Sequence, residues 1–244
     1  MSGRWSFYLA IEGHSTFGDP IEKVLEGLNQ LMQAIFRMGR YCYPQHPDQL
    51  FVLQCGDGFL VASEFHEQSL ERCATIAGAI MQHIASGGRW SRGAITEGEL
   101  ANIQGSFPQE VRDCFVEDHT YSLHMGLMTT SPVMGTALTQ ALALDRVAPQ
   151  GPLLFIRQPM VPRLGDAIPV VPINALGLAS IDWVHLRTPL LTSLRRKASL
   201  EWQEAGVLER QLDDYCRTQA VPDDWARNVH RLLHIPSGCG QAGH

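Results

Sequence analysis

The residue types that most often carry chemistry are present in this sequence as 25 acidic residues, 10 histidines and six cysteines. His119 and His124 lie five residues apart in a polar stretch, a spacing that can fit a zinc site, but no cysteine or third ligand accompanies them. Asp57, within Gly56-Asp57-Gly58, predicts a hairpin turn, because Asp-Gly between apolar runs makes that turn without any metal. The six cysteines contain no CxxC pair, which favours reduced thiols in a reducing compartment: Cys42, Cys55, Cys73, Cys114, Cys216 and Cys239.

The composition predicts one large domain, with or without an appendage, because 45% of the 244 residues are hydrophobic and can form a sizeable core. The net charge of −6 argues against nucleic-acid coating or anionic-membrane binding as the main activity. No apolar run approaches the roughly 20 residues that a membrane span needs. The polar start, Met1–Trp5, leads straight into a strand-like segment, so we expect no signal peptide and a cytoplasmic protein.

The hydrophobic pattern of the first hundred residues predicts a mixed fold that positions these side chains. We expect, in order, a strand, a helix, two strands of a hairpin, a helix and a strand: Trp5–Glu12, Ile21–Tyr41, Phe51–Cys55, Phe59–Ala62, Ser69–Ser86 and Trp90–Thr96. This order is typical of the ferredoxin-like βαββαβ arrangement, a fold of the α+β class.

The rest of the chain predicts a looser second half and a helical extension. After an irregular polar stretch at Glu97–Met134 we expect a helix, a strand, a proline-rich loop and a last strand: Thr136–Val147, Leu153–Arg157, Pro159–Pro172 and Ala179–Val184. The pattern from Pro189 to Leu233 is helical and amphipathic with a break at Pro222, and its Arg195-Arg196-Lys197 predicts a solvated face or a helix end. We therefore expect a domain at 1–187, a helical extension at 188–235 and a disordered tail at 236–244.

Three segments, taken in order, resemble the catalytic domain of class III adenylate and guanylate cyclases. The string AIEGHSTF from Ala10 is similar to the family's D-I-x-G-F-[ST], which ends the first strand, and CGDGF from Cys55 is similar to its Gly-Asp hairpin. RGAITEGE from Arg92, followed by GTALTQA from Gly135, is similar to the family's R-x-G-I-x-x-G strand and G-x-x-V-N-x-A helix. The resemblance covers about 5–156 and implies the class III nucleotide cyclase fold.

The resemblance implies a site where two carboxylates hold two divalent ions, Mn²⁺ or Mg²⁺, which bind the triphosphate and activate the ribose 3′-hydroxyl. Asp57 matches the hairpin carboxylate, but Ala10 stands where the family has its first aspartate. Glu12 is two residues further on and would face the same side of a strand, so it is our candidate second ligand, with a solvated loop residue as the alternative. The carbonyl of Ile11 is implied as a further ligand.

The resemblance also implies which residues touch the substrate. The backbone amides from Gly13 onward, including those of His14 and Ser15, would cradle phosphate. Arg92 would face the same site and bind phosphate, or else pair with a carboxylate such as Glu97 or Glu99.

Two positions that read the base in this family lack their polar groups here. Leu53 stands where adenylate cyclases have a lysine, and Pro132 where they have an aspartate. A purine would lose its specific hydrogen bonds at these positions. The family's asparagine and its transition-state arginine match Thr139 and Ala143, which lack those functional groups as well.

The helix from Gly135 to Asp145 and the string Ile181-Asp182-Trp183 resemble a divergent bacterial branch that includes the Pycsar anti-phage pyrimidine cyclases. That resemblance implies a homodimer that converts UTP, or second CTP, into the cyclic monophosphate, which a separate effector reads. The partner's Thr139 helix and Pro132 loop would face the base, and no nucleic acid is expected as a partner.

Two other classes fit parts of the pattern. A chain without the first aspartate, the asparagine and the arginine also fits a catalytically inactive domain that binds a nucleotide or a partner. A GGDEF-type or polymerase-like palm shares the βαββαβ core, but it needs a carboxylate pair at the hairpin, where only Asp57 stands.

Overall fold

The first half of the chain forms the βαββαβ unit that the hydrophobic pattern predicts. A computed structural model of the chain describes residues 4–13, 20–45, 50–65, 67–173 and 177–233. The four strands are β1 (Arg4–Ile11), β2 (Leu50–Cys55), β3 (Gly58–Ser63) and β4 (Ser91–Gly98). The two helices between them are α1 (Ile21–Cys42) and α2 (Glu71–Ser86).

The four strands lie in the order β4-β1-β3-β2, and every neighbouring pair is antiparallel. This order and these directions define the ferredoxin-like fold, so the predicted fold class is confirmed. The register places Ala10 of β1 opposite Gly58 of β3 on one side and opposite Arg92 of β4 on the other.

Three further strands extend the sheet beyond β4 to seven strands. They are β10 (Leu154–Arg157), which is parallel to β4, and then β12 (Leu178–Ile181) and β11 (Val170–Ile173), which are antiparallel to their neighbours. The prediction of a loop across Pro159–Pro172 was wrong at its end, because Val170–Ile173 is a strand. Pro172 is tolerated there because β11 is the edge of the sheet, where a missing N–H breaks no ladder.

The segment predicted as irregular, Glu97–Met134, contains short structure of its own. A three-stranded sheet is formed by β6 (Phe115–Glu117), β7 (Thr120–Ser122) and β8 (Leu127–Thr129), next to a short helix, α3 (Gln109–Asp113). A two-residue ladder joins β5 (Ala101–Asn102) to β9 (Val133–Met134). Strands this short carry too few residues for an alternating pattern to be visible in the sequence.

Helices cover the two faces of the sheet unequally. On one face α1 and α2 pack over β1 and β4 and enclose the larger core, which includes Phe7, Leu9 and Ile95. On the other face α4 (Thr136–Val147) packs on β1, β3 and β4, where Tyr8, Ala10, Leu60 and Ala141 form a second, smaller cluster. The odd and even residues of β1 therefore enter different cores.

The predicted C-terminal helices are α5 (Pro189–Ala198), α6 (Ala205–Thr218) and α7 (Asp223–Leu233), and the predicted break at Pro222 lies between the last two. Thr188 caps α5 by accepting a hydrogen bond from the amide of Leu191 at 3.0 Å. All three helices bury side chains in the larger core, among them Leu194, Leu208 and Leu232. The boundary near residue 187 stays a prediction, and residues 236–244 lie outside the described part of the chain. None of the described helices is long and apolar enough to cross a membrane.

Candidate functional site

The hairpin between β2 and β3 brings Asp57 to the end of β1. Gly56 and Asp57 form the two-residue turn, and Gly56 has a positive φ of 66°, the conformation that glycine favours at the first turn position. The predicted hairpin is confirmed, although its turn is Gly-Asp rather than Asp-Gly. The amide of Ile11 donates to the Asp57 carbonyl at 3.3 Å, so the half-buried Asp57 lies beside the predicted ligand residue Ile11.

Tyr8 of β1 contacts this hairpin from below and packs closely against Gly58 of β3. Its hydroxyl donates to the Cys55 carbonyl at 3.1 Å. Burial raises the pKa of Tyr8 well above its ordinary value, and the negative charge of Asp57 raises it further. A Cβ on Gly58 would stand 2.4 Å from the Leu9 carbonyl oxygen and 2.6 Å from the Tyr8 hydroxyl, so this approach requires glycine.

Glu12 lies at the same end of β1, but its carboxylate is enclosed by protein. The side chain is 1% exposed, and one carboxylate oxygen accepts a hydrogen bond from the indole N–H of Trp225 on α7 at 3.2 Å. The other oxygen lies 3.7 Å from Nε of Arg92. The alternative of a solvated loop residue is therefore wrong, and the carboxylate is held by an arginine and an indole.

Arg92 forms its main ion pair with Asp145 on α4. One guanidinium nitrogen lies 2.8 Å from the Asp145 carboxylate and 3.0 Å from its carbonyl oxygen. Burial alone would lower the pKa of Arg92, but the charges of Asp145 and Glu12 outweigh it and raise that pKa. The predicted alternative of carboxylate pairing is correct in kind, but the partners are not Glu97 and Glu99.

A divalent cation needs oxygen ligands that are free to turn toward it, and only one of the two candidate carboxylates meets this need. Asp57 forms no ion pair within the described residues and is half-exposed. Glu12 is occupied by Trp225 and Arg92, and no group of three or more His, Cys, Asp or Glu side chains in the described ranges is arranged to hold a metal. Within the described part of one chain the residues therefore do not form a two-ion site, and Asp57 is the candidate ligand for a single cation.

The predicted phosphate-cradling segment is only partly described. Gly13 is buried and has a φ of 132°, which favours glycine. His14 and Ser15 lie outside the described residues.

The residues predicted to face the base lie in three separate segments of the chain. Leu53 lies opposite Leu60 and so faces the same side of the sheet as α4. Thr139 is exposed on α4, with its hydroxyl hydrogen-bonded to carbonyls of the same helix. The Pro132 carbonyl accepts a hydrogen bond from the Ile103 amide at 2.7 Å, which anchors the segment before α4. Leu53 and Pro132 carry no side-chain donor or acceptor, and the Thr139 hydroxyl already donates within its own helix.

Two residues that shape this site were not among the predicted ones. Asp145 ends the helix motif from Gly135 and occupies Arg92, while Trp225 comes from the last helix and occupies Glu12. An acidic residue near the end of an amphipathic helical pattern was a usable signal for Asp145, whose side chain is 15% exposed. Nothing near Trp225 in the sequence indicates a contact with Glu12, because the two residues are 213 positions apart.

Comparisons with known proteins give a loose structural likeness only. No family model matches the sequence. No curated protein matches it either. The guanylyl cyclase Cya2 superposes with a TM-score of 0.37 at 15% identity, over 78% of this chain and 97% of that one.

A second solved structure is the catalytic core of a rhodopsin-guanylyl cyclase with converted specificity, in complex with ATPαS. It superposes with a TM-score of 0.41 at 8% identity, over 74% of this chain and 95% of that one. Superpositions this loose assign neither family nor ligand to the chain, whose fold class rests on its own strand order.

Proposed function

We propose that this chain is a pyrimidine nucleotide cyclase that converts UTP, or second CTP, into the 3′,5′-cyclic monophosphate and pyrophosphate. The observation that carries the proposal is the position of Asp57. It is a half-exposed carboxylate at a hairpin tip, held against the end of the first strand of a ferredoxin-like sheet. The sequence resemblance supports the same assignment.

The pyrimidine preference is proposed from side chains that offer no hydrogen bonds. Leu53 and Pro132 carry no side-chain donor or acceptor, and Leu53 packs on the apolar side of the hairpin opposite Leu60. A polar base edge facing them would lose hydrogen bonds to water without replacement, which is costly. A pyrimidine has one ring where a purine has two, so its polar edge need not reach these two side chains.

The placement of Glu12 changes what the proposal says about metal ions. Two Mn²⁺ or Mg²⁺ ions per site would need a second carboxylate that is free to bind them, and among the described residues Glu12 is held by Trp225 and Arg92 instead. The ion that accompanies a nucleoside triphosphate is often held by one or two carboxylates and by the phosphates themselves. Asp57 is then the anchor that holds the metal-bound triphosphate against the end of β1.

The same proposal places the protein in the cytoplasm as a homodimer whose product is a second messenger of anti-phage defence, read by a separate effector. The dimer enters the proposal through the resemblance, which implies that Thr139 and Pro132 of a second copy face the base.

The test is turnover of each of the four ribonucleoside triphosphates by the purified protein with Mn²⁺ or Mg²⁺, with products identified by mass spectrometry. The key variant is Asp57→Asn, because asparagine suits the same turn and removes only the charge. Asp166→Asn, at an exposed loop aspartate far from the hairpin, is the matched control. A cyclic pyrimidine monophosphate that the control keeps and Asp57→Asn loses would support the proposal.

One observation favours a second candidate, a catalytically inactive domain that binds a nucleotide or a partner. Glu12, the candidate replacement for the missing first aspartate, is buried against Trp225 and Arg92. A folded protein that turns over none of the four triphosphates would replace the cyclase proposal with this one.

A further inference from the structure

A cleft of about 550 Å³ lies on the C-terminal helices, on the surface of α5 and the segment that leads from it to α6. We call it the arginine–tryptophan cleft, and it is lined by Arg187, Thr192, Arg195, Arg196, Ser199 and Trp202. Its volume is within the range of roughly 300–1,000 Å³ that small-molecule sites usually have. None of these residues takes part in the site around Asp57.

The cleft is positively charged in a protein whose net charge is −6. Of its three arginines, Arg187 pairs with Glu204 at 3.0 Å on the rim, where both side chains are more than half exposed. Arg195 and Arg196 have no carboxylate within ion-pair distance among the described residues. Within the described part of the chain, Glu204 is the acidic residue of the cleft lining; it pairs with Arg187 and acts on Arg195 only from beyond ion-pair distance, so the lining keeps an excess of positive charge.

Arg195 is the most enclosed of these cations. One of its terminal nitrogens donates to the side-chain oxygen of Gln82, which is a neutral partner. Its Nε is buried and has no hydrogen-bond partner within the described residues. Burial lowers the pKa of Arg195 to about 10, so the fold places a poorly compensated cation beside the cleft, where an anion would stabilise it.

Trp202 adds a planar apolar surface to the same cleft. The Arg195 guanidinium lies 4.7 Å from the centre of its ring, and the side chain is still 48% exposed. The other four tryptophans of the chain are at most 4% exposed: Trp5, Trp90, Trp183 and Trp225. An indole left open beside arginines is a suitable stacking platform for an aromatic ring.

A helix-end effect explains only part of this arrangement. Arg195 and Arg196 occupy the last turn of α5, where cations stabilise the negative end of the helix dipole. That effect does not require an exposed indole or a third arginine from outside the helix.

We propose that the arginine–tryptophan cleft binds a free nucleotide, with its base stacked on Trp202 and its phosphate held by Arg195 and Arg196. Guanidinium groups match phosphate oxygens in a bidentate geometry, and the ring supplies the planar partner. None of the cleft residues belongs to the site around Asp57. Because α5 also packs on the main core, a nucleotide bound in the cleft would couple the nucleotide concentration to the stability of that helix. The proposal does not depend on turnover at Asp57.

Trp202 provides the measurement, because it is the one strongly exposed tryptophan of the five. The experiment follows tryptophan fluorescence of the full-length Asp57→Asn protein, which excludes turnover, during titration with UMP, cyclic UMP, UTP, uridine and inorganic phosphate. We expect at least one nucleotide to give a saturable change. Uridine and phosphate should each bind at least about tenfold more weakly, because uridine lacks the phosphate and inorganic phosphate lacks the base.

Two variants locate the signal. Arg196→Gln should raise the dissociation constant about tenfold or more. It should lower the melting temperature only slightly, because Arg196 is exposed and its removal weakens only the interaction with the end of α5. Arg112→Gln is the same change on the exposed face of α3 and should leave binding unchanged. Trp202→Phe should abolish the fluorescence change while calorimetry still detects the ligand.

Each contrary result overturns the proposal. It fails if no nucleotide changes the fluorescence at millimolar concentration, or if the change survives in Trp202→Phe. It fails equally if Arg112→Gln and Arg196→Gln weaken binding to the same extent. Turnover of triphosphates is tested separately, so failure of one proposal does not decide the other.

Discussion

Glu12 lies where three parts of the chain meet: the end of β1, Arg92 of β4 and Trp225 of α7. The family that the sequence resembles has a metal-binding aspartate two residues earlier, where this chain has Ala10. A methyl group there completes the apolar cluster with Tyr8 and Leu60. The nearby carboxylate of Glu12 instead links β1 to α7 through Trp225.

The Trp225–Glu12 hydrogen bond predicts a measurable loss of stability when its donor is removed. Trp225→Phe keeps most of the buried apolar surface but leaves a buried carboxylate oxygen without this donor, which should cost about 1–3 kcal/mol of unfolding free energy. Urea unfolding should show a lower midpoint with an unchanged slope.

The matched control is Trp202→Phe, the same change at a half-exposed ring, which should alter stability by about 0.5 kcal/mol or less. If the two variants are equally stable, the contact with Glu12 contributes nothing.

At this scale the sequence predicts local features well and distant ones poorly. Asp57 was placed correctly because a glycine next to it and two apolar runs determine the hairpin. The partners of Arg92 and Glu12 were missed because they come from α4 and α7, and a side-chain contact between distant segments leaves no pattern within either segment.

Among the elements, two histidines with opposite pKa shifts add contacts between the C-terminal segment and the rest of the fold. His185 lies between Asp182 and Glu209 of α6, at 2.7 Å and 2.6 Å. Burial alone would lower its pKa, but the two carboxylates raise it above 6.5. His83 of α2 accepts a hydrogen bond from the Glu201 amide at 3.0 Å, and burial lowers its pKa below 6.5.

These directions give the two histidines opposite contributions to the pH dependence of stability. The folded pKa of His185 is raised, so its contribution is complete below pH 6.5 and is lost as the pH rises through the raised pKa. The folded pKa of His83 is lowered, so its contribution is present above pH 6.5 and is lost as the pH falls through the lowered value.

Glu209→Gln should therefore cost stability mainly below about pH 6.5, where the contribution of protonated His185 is complete. With one carboxylate fewer, the variant should be less stable than the parent by up to about 1 kcal/mol at about pH 6, and this difference should shrink as the pH rises through the folded pKa of His185. Urea unfolding between about pH 6 and about pH 9 measures the effect. Glu110→Gln, on the exposed face of α3, should keep the profile of the parent protein, and identical profiles for both variants would contradict this role for His185.

The elements themselves were predictable where their pattern is long. The helix α1 runs for 22 residues with one buried face, and its predicted start at Ile21 is confirmed. The strand Val170–Ile173 was missed because Pro172 argues against a strand, and only its position at the sheet edge removes that objection.

For the whole molecule, the sheet and the C-terminal helices share one hydrophobic core. Trp225, Val229 and Leu232 of α7 are all fully buried within it. Leu232→Ala should therefore destabilise the entire chain by about 2–5 kcal/mol, as in other buried leucines, with one cooperative unfolding transition.

Leu127→Ala, at a side chain that is 69% exposed in the small sheet, is the control and should change little. Calorimetry distinguishes the outcomes. Two separate transitions, with only the smaller one shifted by Leu232→Ala, would mean that the helices unfold independently of the sheet.

The hydrogen bond between Glu12 and Trp225 also sets an order of events during synthesis. Its two residues are 213 positions apart, so the first strand leaves the ribosome long before its final partner is translated. Until then Glu12 lacks the indole that contacts it in the folded protein. Contacts of such sequence separation form late and slow folding. A chain truncated before Trp225 would contain every strand of the sheet but not the indole that contacts Glu12. We expect chaperones and proteases to bind such a chain.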